Sequence, residues 1–299
     1  MTIMKTPPLS SRRWHWLAMM IIAVASAVAL AIAEGSSRYA YRVVRNQVYT
    51  PSSWPQALAG DLYLPDRPGP LPVVLVVHGG SWRSGDRESV DATRIARSLA
   101  ERGFVAFSVD YRLAPAYHYP APVDDLEQAV AWLRNNASRY DLDADEVTAW
   151  GYSAGAHLVA MLGTRDNERV HLRAVVAGGV PADLTQWPNS PIVKEFLGHN
   201  AAEDAPLARD ASPVSHVGPQ SAPFFLYHGA WDRMVEPAQA QRFAAALSAS
   251  GQKTDVYYLS GLGHLLTAVF PGAALDRGVT FLDAHVRTVS GAQPAGVVP

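Results

Sequence analysis

The chain has 299 residues, 48% apolar and 17% charged, which excludes a disordered or coiled-coil protein and allows one large core. A net charge of −2 leaves no electrostatic footprint for nucleic acid, so no nucleic-acid partner is expected. Cysteine is absent, which removes disulfides, thiolate metal sites and cysteine nucleophiles together.

The first element is an apolar run. Arg12 and Arg13 precede "WHWLAMMIIAVASAVALAIA", which closes on Ala31-Ile32-Ala33 before Glu34. A basic start, an apolar stretch and an A-x-A site read as a secretory signal, and the run 16–33 is also just long enough to anchor in a bilayer. Residues 1–33 are therefore expected to be a signal peptide or a membrane anchor. Either way the domain is exported, periplasmic or secreted or tethered outside the membrane.

From Glu34 onward strands and helices alternate. Segment 39–50 reads as an edge strand or hairpin and 60–65 as another, and "LPVVLVVHGG" (71–80) reads as a strand buried on both faces. A helix is predicted over 89–103, a strand over 104–110, a helix over 122–140 and a strand over 146–152. After Ser153 helical spacing runs to about Leu162. Strands follow at 172–180, 224–230 and 254–260, with helices at 237–250 and 273–288. This order predicts an α/β domain over 34–288 with a mostly parallel sheet of about eight strands. Segment 181–222, rich in Pro, Asn and Asp, reads as a cap over one end of the sheet, with one short helical piece near 190–197. Residues 289–299 read as a loose tail.

The join at 151–155, Gly-Tyr-Ser-Ala-Gly, lies where a strand gives way to a helix. A serine N-cap flanked by close-packing glycines would give the same letters. The alternative is a tight turn that lifts Ser153 Oγ above the sheet as a nucleophile. That needs a base and an acid after it in the chain, and both exist: Asp232 follows the strand 224–230 and His264 follows the strand 254–260. "VVHGGSW" supplies unobstructed N–H groups at Gly79 and Gly80, with Ala154 as a third donor to an oxyanion. His118, His199 and His216 have no metal-ligand spacing with one another, and neither a metal nor a cofactor is expected.

In these residues the sequence resembles α/β-hydrolases of the esterase/lipase superfamily, nearest to hormone-sensitive-lipase-like carboxylesterases and to bacterial and fungal feruloyl and acetyl esterases. The segments that carry the likeness include "HGGSW" (78–82), "DYRLAP" (110–115), "GYSAGAHL" (151–158), "HGAWDRMV" (228–235) and "GLGH" (261–264). The resemblance implies Ser153 as nucleophile, His264 as base and Asp232 as orienting acid. It also implies Gly79, Gly80 and Ala154 as oxyanion donors, and a small-molecule ester as substrate. The helical piece of 181–222 offers only Ile192, Val193, Phe196 and Leu197, too little for an interfacial lid, so short acyl groups are expected. Trp82 and Tyr152, within these motifs, are the candidates for substrate contact. The chain departs from the lipase-like pattern at Ser81, where a third glycine is usual, and at Tyr152, where an acidic residue is usual. An arylformamidase-like amide hydrolase and a catalytically silent binding module are the alternative readings.

Overall fold

A computed structural model describes residues 38–165, 170–252 and 254–286. The apolar run and the tail lie outside them. Among the described residues no helix is long and apolar enough to cross a membrane.

Eight strands form one sheet: β1 (Tyr41–Val48), β2 (Ala59–Pro65), β3 (Leu71–Val77), β4 (Val105–Val109), β5 (Leu142–Tyr152), β6 (Val175–Gly178), β7 (Phe224–Gly229) and β8 (Thr254–Leu259). Their order is β1-β2-β4-β3-β5-β6-β7-β8. β2 runs antiparallel to both β1 and β4, and every other pairing is parallel. The expected α/β-hydrolase sheet is the one observed.

The helices are α1 (Val90–Ala100), α2 (Ala121–Asn135), α3 (Ala137–Tyr140), α4 (Ala154–Thr164), α5 (Pro191–Leu197), α6 (Ala205–Asp210), α7 (Pro237–Ala249), α8 (His264–Val269) and α9 (Ala273–Val286). Strand β3 shows how the layers arise. Val73, Leu75 and Val77 join one apolar cluster with Leu126 of α2, Leu158 of α4 and Phe243 of α7. Val74 and Val76 join the other, with Leu99 of α1 and Leu282 of α9. Successive side chains in a strand point to opposite faces, so an unbroken apolar run is what a sheet covered on both sides requires. Helix α4 is buried along its whole length, which explains why it carries no polar face.

The cap segment is more ordered than its composition suggests. Beyond α5 it holds α6 and single 3-10 turns at Leu184–Gln186 and Pro213–His216. Local capping accounts for the extra helix. The Asp204 carboxylate accepts from Leu207 N at 3.0 Å, with a proline in the first turn. The segment is also fastened to the body: Gln239 Oε1 of α7 accepts from Ala182 N at 3.0 Å, and Tyr119 N donates to Phe196 O at 2.8 Å.

Candidate active site

Ser153 stands between β5 and α4 with φ 54° and ψ −121°, a backbone conformation that costs a non-glycine residue roughly 1–3 kcal/mol. The flanking glycines make the turn possible. A Cβ on Gly155 would come within 2.1 Å of Val77 O, and one on Gly151 within 2.3 Å of Gly155 O. Helix α4 therefore leaves the sheet in backbone contact with it, and the serine between them is pushed out at the tip.

Asp232 follows β7 and His264 opens α8 just after β8, and the two strands are paired neighbours. Their ends meet the serine at the carboxyl edge of the sheet, where sites in such folds are built. Ser153 Oγ donates to His264 Nε2 at 2.8 Å, and His264 Nδ1 donates to Asp232 Oδ2 at 2.5 Å. The other carboxylate oxygen, Oδ1, accepts from the N–H groups of Met234 and Val235, each at 2.9 Å. Burial alone would push the Asp232 carboxyl up. Hydrogen bonds from His228 and His264, the latter's charge and the Val235 N–H outweigh it and hold the group well below the usual carboxylate range. It is thus an anion at any working pH, and it stabilises positive charge on the imidazole. His228 was not singled out in the sequence. Its Nε2–H donates to Val235 O at 2.8 Å and lies 3.4 Å from Asp232 Oδ2.

The glycine loop departs from expectation. Gly79 N–H is already taken, donating to Asp91 Oδ2 in the first turn of α1 at 2.7 Å, so it is not free for an oxyanion. The following three residues all have positive φ: 120° at Gly80, 56° at Ser81 and 59° at Trp82. Only glycine fits the first of these, since a Cβ there would lie 1.9 Å from Ser84 O. Among the described residues the N–H groups of Gly80, Ser81 and Ala154 have no protein partner. Ser81, Ser153 and Ala154 line one cavity.

That cavity measures about 130 Å³ and is walled by Trp82, Pro181, Trp187, Ile192, Val193 and Met234. Four of the six come from the cap segment. Trp82 is otherwise buried. Its Nε1–H donates to His157 Nδ1 at 3.1 Å, and its ring stacks on Phe196 of α5 at 4.6 Å between centroids. His157 Nε2–H in turn donates to Ala211 O at 2.8 Å.

Tyr152 is not at the cavity, and its expected contact with substrate is corrected. It shares the face of Trp150, two residues earlier in β5, and packs in the second apolar cluster. From beneath, its hydroxyl donates to the carbonyl oxygen of His264 at 2.6 Å. Tyr152 thus steadies the histidine's backbone.

The BD-FAE family model matches residues 60–247. The chain belongs to the BD-FAE family. The match includes Ser153 and Asp232 and stops short of His264. Among curated relatives, Esterase LipQ of Mycobacterium tuberculosis is 33% identical over 202 residues, covering 62% of this chain and 48% of the relative. Esterase LipC of the same organism is 30% identical over 214 residues, covering 65% and 53%. This BD-FAE chain spans about half the length of these relatives. Among solved structures, a truncated carbohydrate esterase from gut microbiota superposes with a TM-score of 0.76 at 21% identity, over 84% of this chain and 98% of that one. The esterase Est2 of Thermogutta terrifontis gives 0.68 at 20% identity, over 86% and 96%. At those identities the likeness establishes the fold.

Proposed function

We propose that the protein is a serine carboxylic-ester hydrolase acting on soluble esters of short acyl groups, acetyl to about butyryl. The observation that carries this reading is the continuous relay from Ser153 Oγ through His264 to Asp232 beside a small apolar cavity. The names of its relatives, esterases in both comparisons, point the same way.

In this mechanism Ser153 Oγ attacks the ester carbonyl carbon while its proton passes to His264 Nε2. The carbonyl oxygen becomes an oxyanion facing the N–H groups of Gly80, Ser81 and Ala154, the last at the positive end of α4. His264 then gives its proton to the leaving oxygen, the carbon–oxygen bond breaks, and an acyl-serine remains. Water attacks that ester with His264 as base, the acid departs, and Ser153 recovers its proton.

The cavity sets the acyl limit. About 150 Å³ of apolar space holds one benzene-sized guest. The cavity here, about 130 Å³, holds a chain of roughly four carbons. Hydrolysis of 4-nitrophenyl esters from acetate to decanoate, with Ser153→Ala as control, is the test. The expected profile peaks at or before butyrate and vanishes in the variant. Rates rising steadily to decanoate would overturn the acyl assignment, and full turnover in Ser153→Ala would overturn the mechanism.

Export belongs to the same proposal and rests on the sequence of residues 1–33. N-terminal sequencing of protein from its host should find Glu34 first, or an intact start in the membrane fraction. Full-length protein in the cytosol would refute export.

A further inference from the structure

One wall of the acyl cavity depends on a single directional bond. Trp82 reaches the cavity from the glycine loop with φ 59°, a left-handed conformation uncommon for so large a side chain. Phe196 of the cap lies flat against its ring, the planes 18° apart. Such a stack resists tilting but lets the indole turn in its own plane. What fixes that turn is the N–H, the only polar group of the side chain, which donates to His157 Nδ1 at 3.1 Å.

His157 is itself held from two directions. Its backbone N–H donates to Ser153 O at 3.0 Å, one turn back along α4, and its Nε2–H donates to Ala211 O of the cap at 2.8 Å. The imidazole is fully buried and stands outside the cavity lining, so it meets no substrate. Its partner does line the cavity. A buried N–H without an acceptor is costly, and the cavity is the open space beside this indole where water could serve instead.

We propose that His157 is a positioning residue for the acyl site: by accepting from Trp82 it holds the indole back from the cavity and so sets the length of acyl group that fits. Without that acceptor the ring turns into the cavity to hydrate its N–H. The outer carbons of a butyryl group then lose their place, while an acetyl group keeps its own. The inference rests on the esterase reading and adds the residue behind the wall.

The test separates the two bonds of the imidazole in full-length protein. In His157→Asn the amide oxygen stands one carbon beyond Cβ, as Nδ1 does, and keeps the bond from Trp82 while losing that to Ala211. In His157→Gln the amide nitrogen stands one carbon further out, as Nε2 does, and keeps the bond to Ala211 while leaving the indole N–H unpaired. Acetate and butyrate esters of 4-nitrophenol compete in one reaction, and the two acids released give a ratio of kcat/KM values that an unfolded fraction does not move. His157→Gln should lower the butyrate-to-acetate ratio about tenfold, mainly through KM, the worth of the two extra methylenes. His157→Asn should keep the wild-type ratio. His157→Leu makes neither bond, should match His157→Gln, and takes its place where that variant does not fold. On a Trp82→Phe background, which has no indole N–H, neither Asn nor Gln at 157 should move the ratio further. Ratios that stay put in every variant, that rise, or that fall in His157→Asn but not in His157→Gln would overturn the proposal. Binding of acetate and butyrate ions, followed by calorimetry, reads the same order without turnover. Wild type that hydrolyses no ester, yet loses its butyrate preference in binding on His157→Gln, would refute the esterase reading and support the role of His157.

Discussion

The indole Nε1–H of Trp82 and Nδ1 of His157 are 3.1 Å apart, and this bond defines the state of both rings. It requires Nδ1 to accept, while Nε2–H donates to Ala211 O. His157 is therefore neutral, and burial pushes its pKa down to about 4 from 6.5. Between those values the unfolded chain holds a proton that the folded chain does not, so stability falls as pH drops from 6.5 toward 4. The expected loss by pH 4 is on the order of 3 kcal/mol from this group. Urea midpoints across that range should show it, and His157→Gln should flatten the slope even if it lowers stability throughout. An unchanged slope in the variant would remove His157 as the cause.

Asp91 is expected to hold the oxyanion loop in place through Gly79. In Asp91→Ala the Gly79 N–H loses its acceptor and the free donors at Gly80 and Ser81 lose their aim. Removing an oxyanion donor outright costs about 10²–10³ in kcat, and misaligning the loop should cost roughly ten- to a hundredfold with KM little changed. Asp91→Asn keeps an acceptor oxygen and should recover most of the rate. Wild-type kcat in Asp91→Ala would show that the loop holds itself.

Trp187 and Ile192 close the cavity from the cap. Trp187→Ala should open it, so that hexanoate and octanoate esters gain at least several-fold in kcat/KM relative to acetate. Competition between paired esters in one reaction measures this ratio directly. A preference unchanged from wild type would place the acyl chain elsewhere.

Asp125 is fully enclosed. Its carboxylate accepts from Arg112 Nε at 2.7 Å, from Arg112 N at 2.8 Å and from Trp54 Nε1 at 2.7 Å. Asp125→Ala leaves the Arg112 guanidinium buried and unpaired and should cost about 3–5 kcal/mol. Thermal unfolding should register the loss in a shifted midpoint. A change under 1 kcal/mol would mean that Arg112 finds solvent or another partner.

The sheet and the relay were legible for a local reason: each depends on what a short segment is. Buried parallel strands announce themselves as apolar runs, and Ser153, Asp232 and His264 each follow one at the end where such strands deliver side chains. Asp91 was not legible, because its bond to Gly79 joins two turns that only packing brings together. Tyr152 could have been placed by counting, since a period of two puts it on the face of Trp150 and away from Ser153. The helix at Ala205–Asp210 was also readable from Asp204 and its following proline, but the polar composition around it masked the cap.

Asp232 has two oxygens with separate duties. One orients His264, and the other holds the N–H groups of Met234 and Val235, both of which line the acyl cavity. The residue proposed as the reaction's acid is thus also a strut of the container. In a directed-evolution campaign, substitutions on this loop chosen to change acyl preference will carry a penalty in turnover, whereas Trp187, Ile192 and Val193 make no hydrogen bond to the relay. On the proposed reading, variation introduced from the cap side can diversify substrates without touching the chemistry, and it is there that descendants of this chain have room to differ.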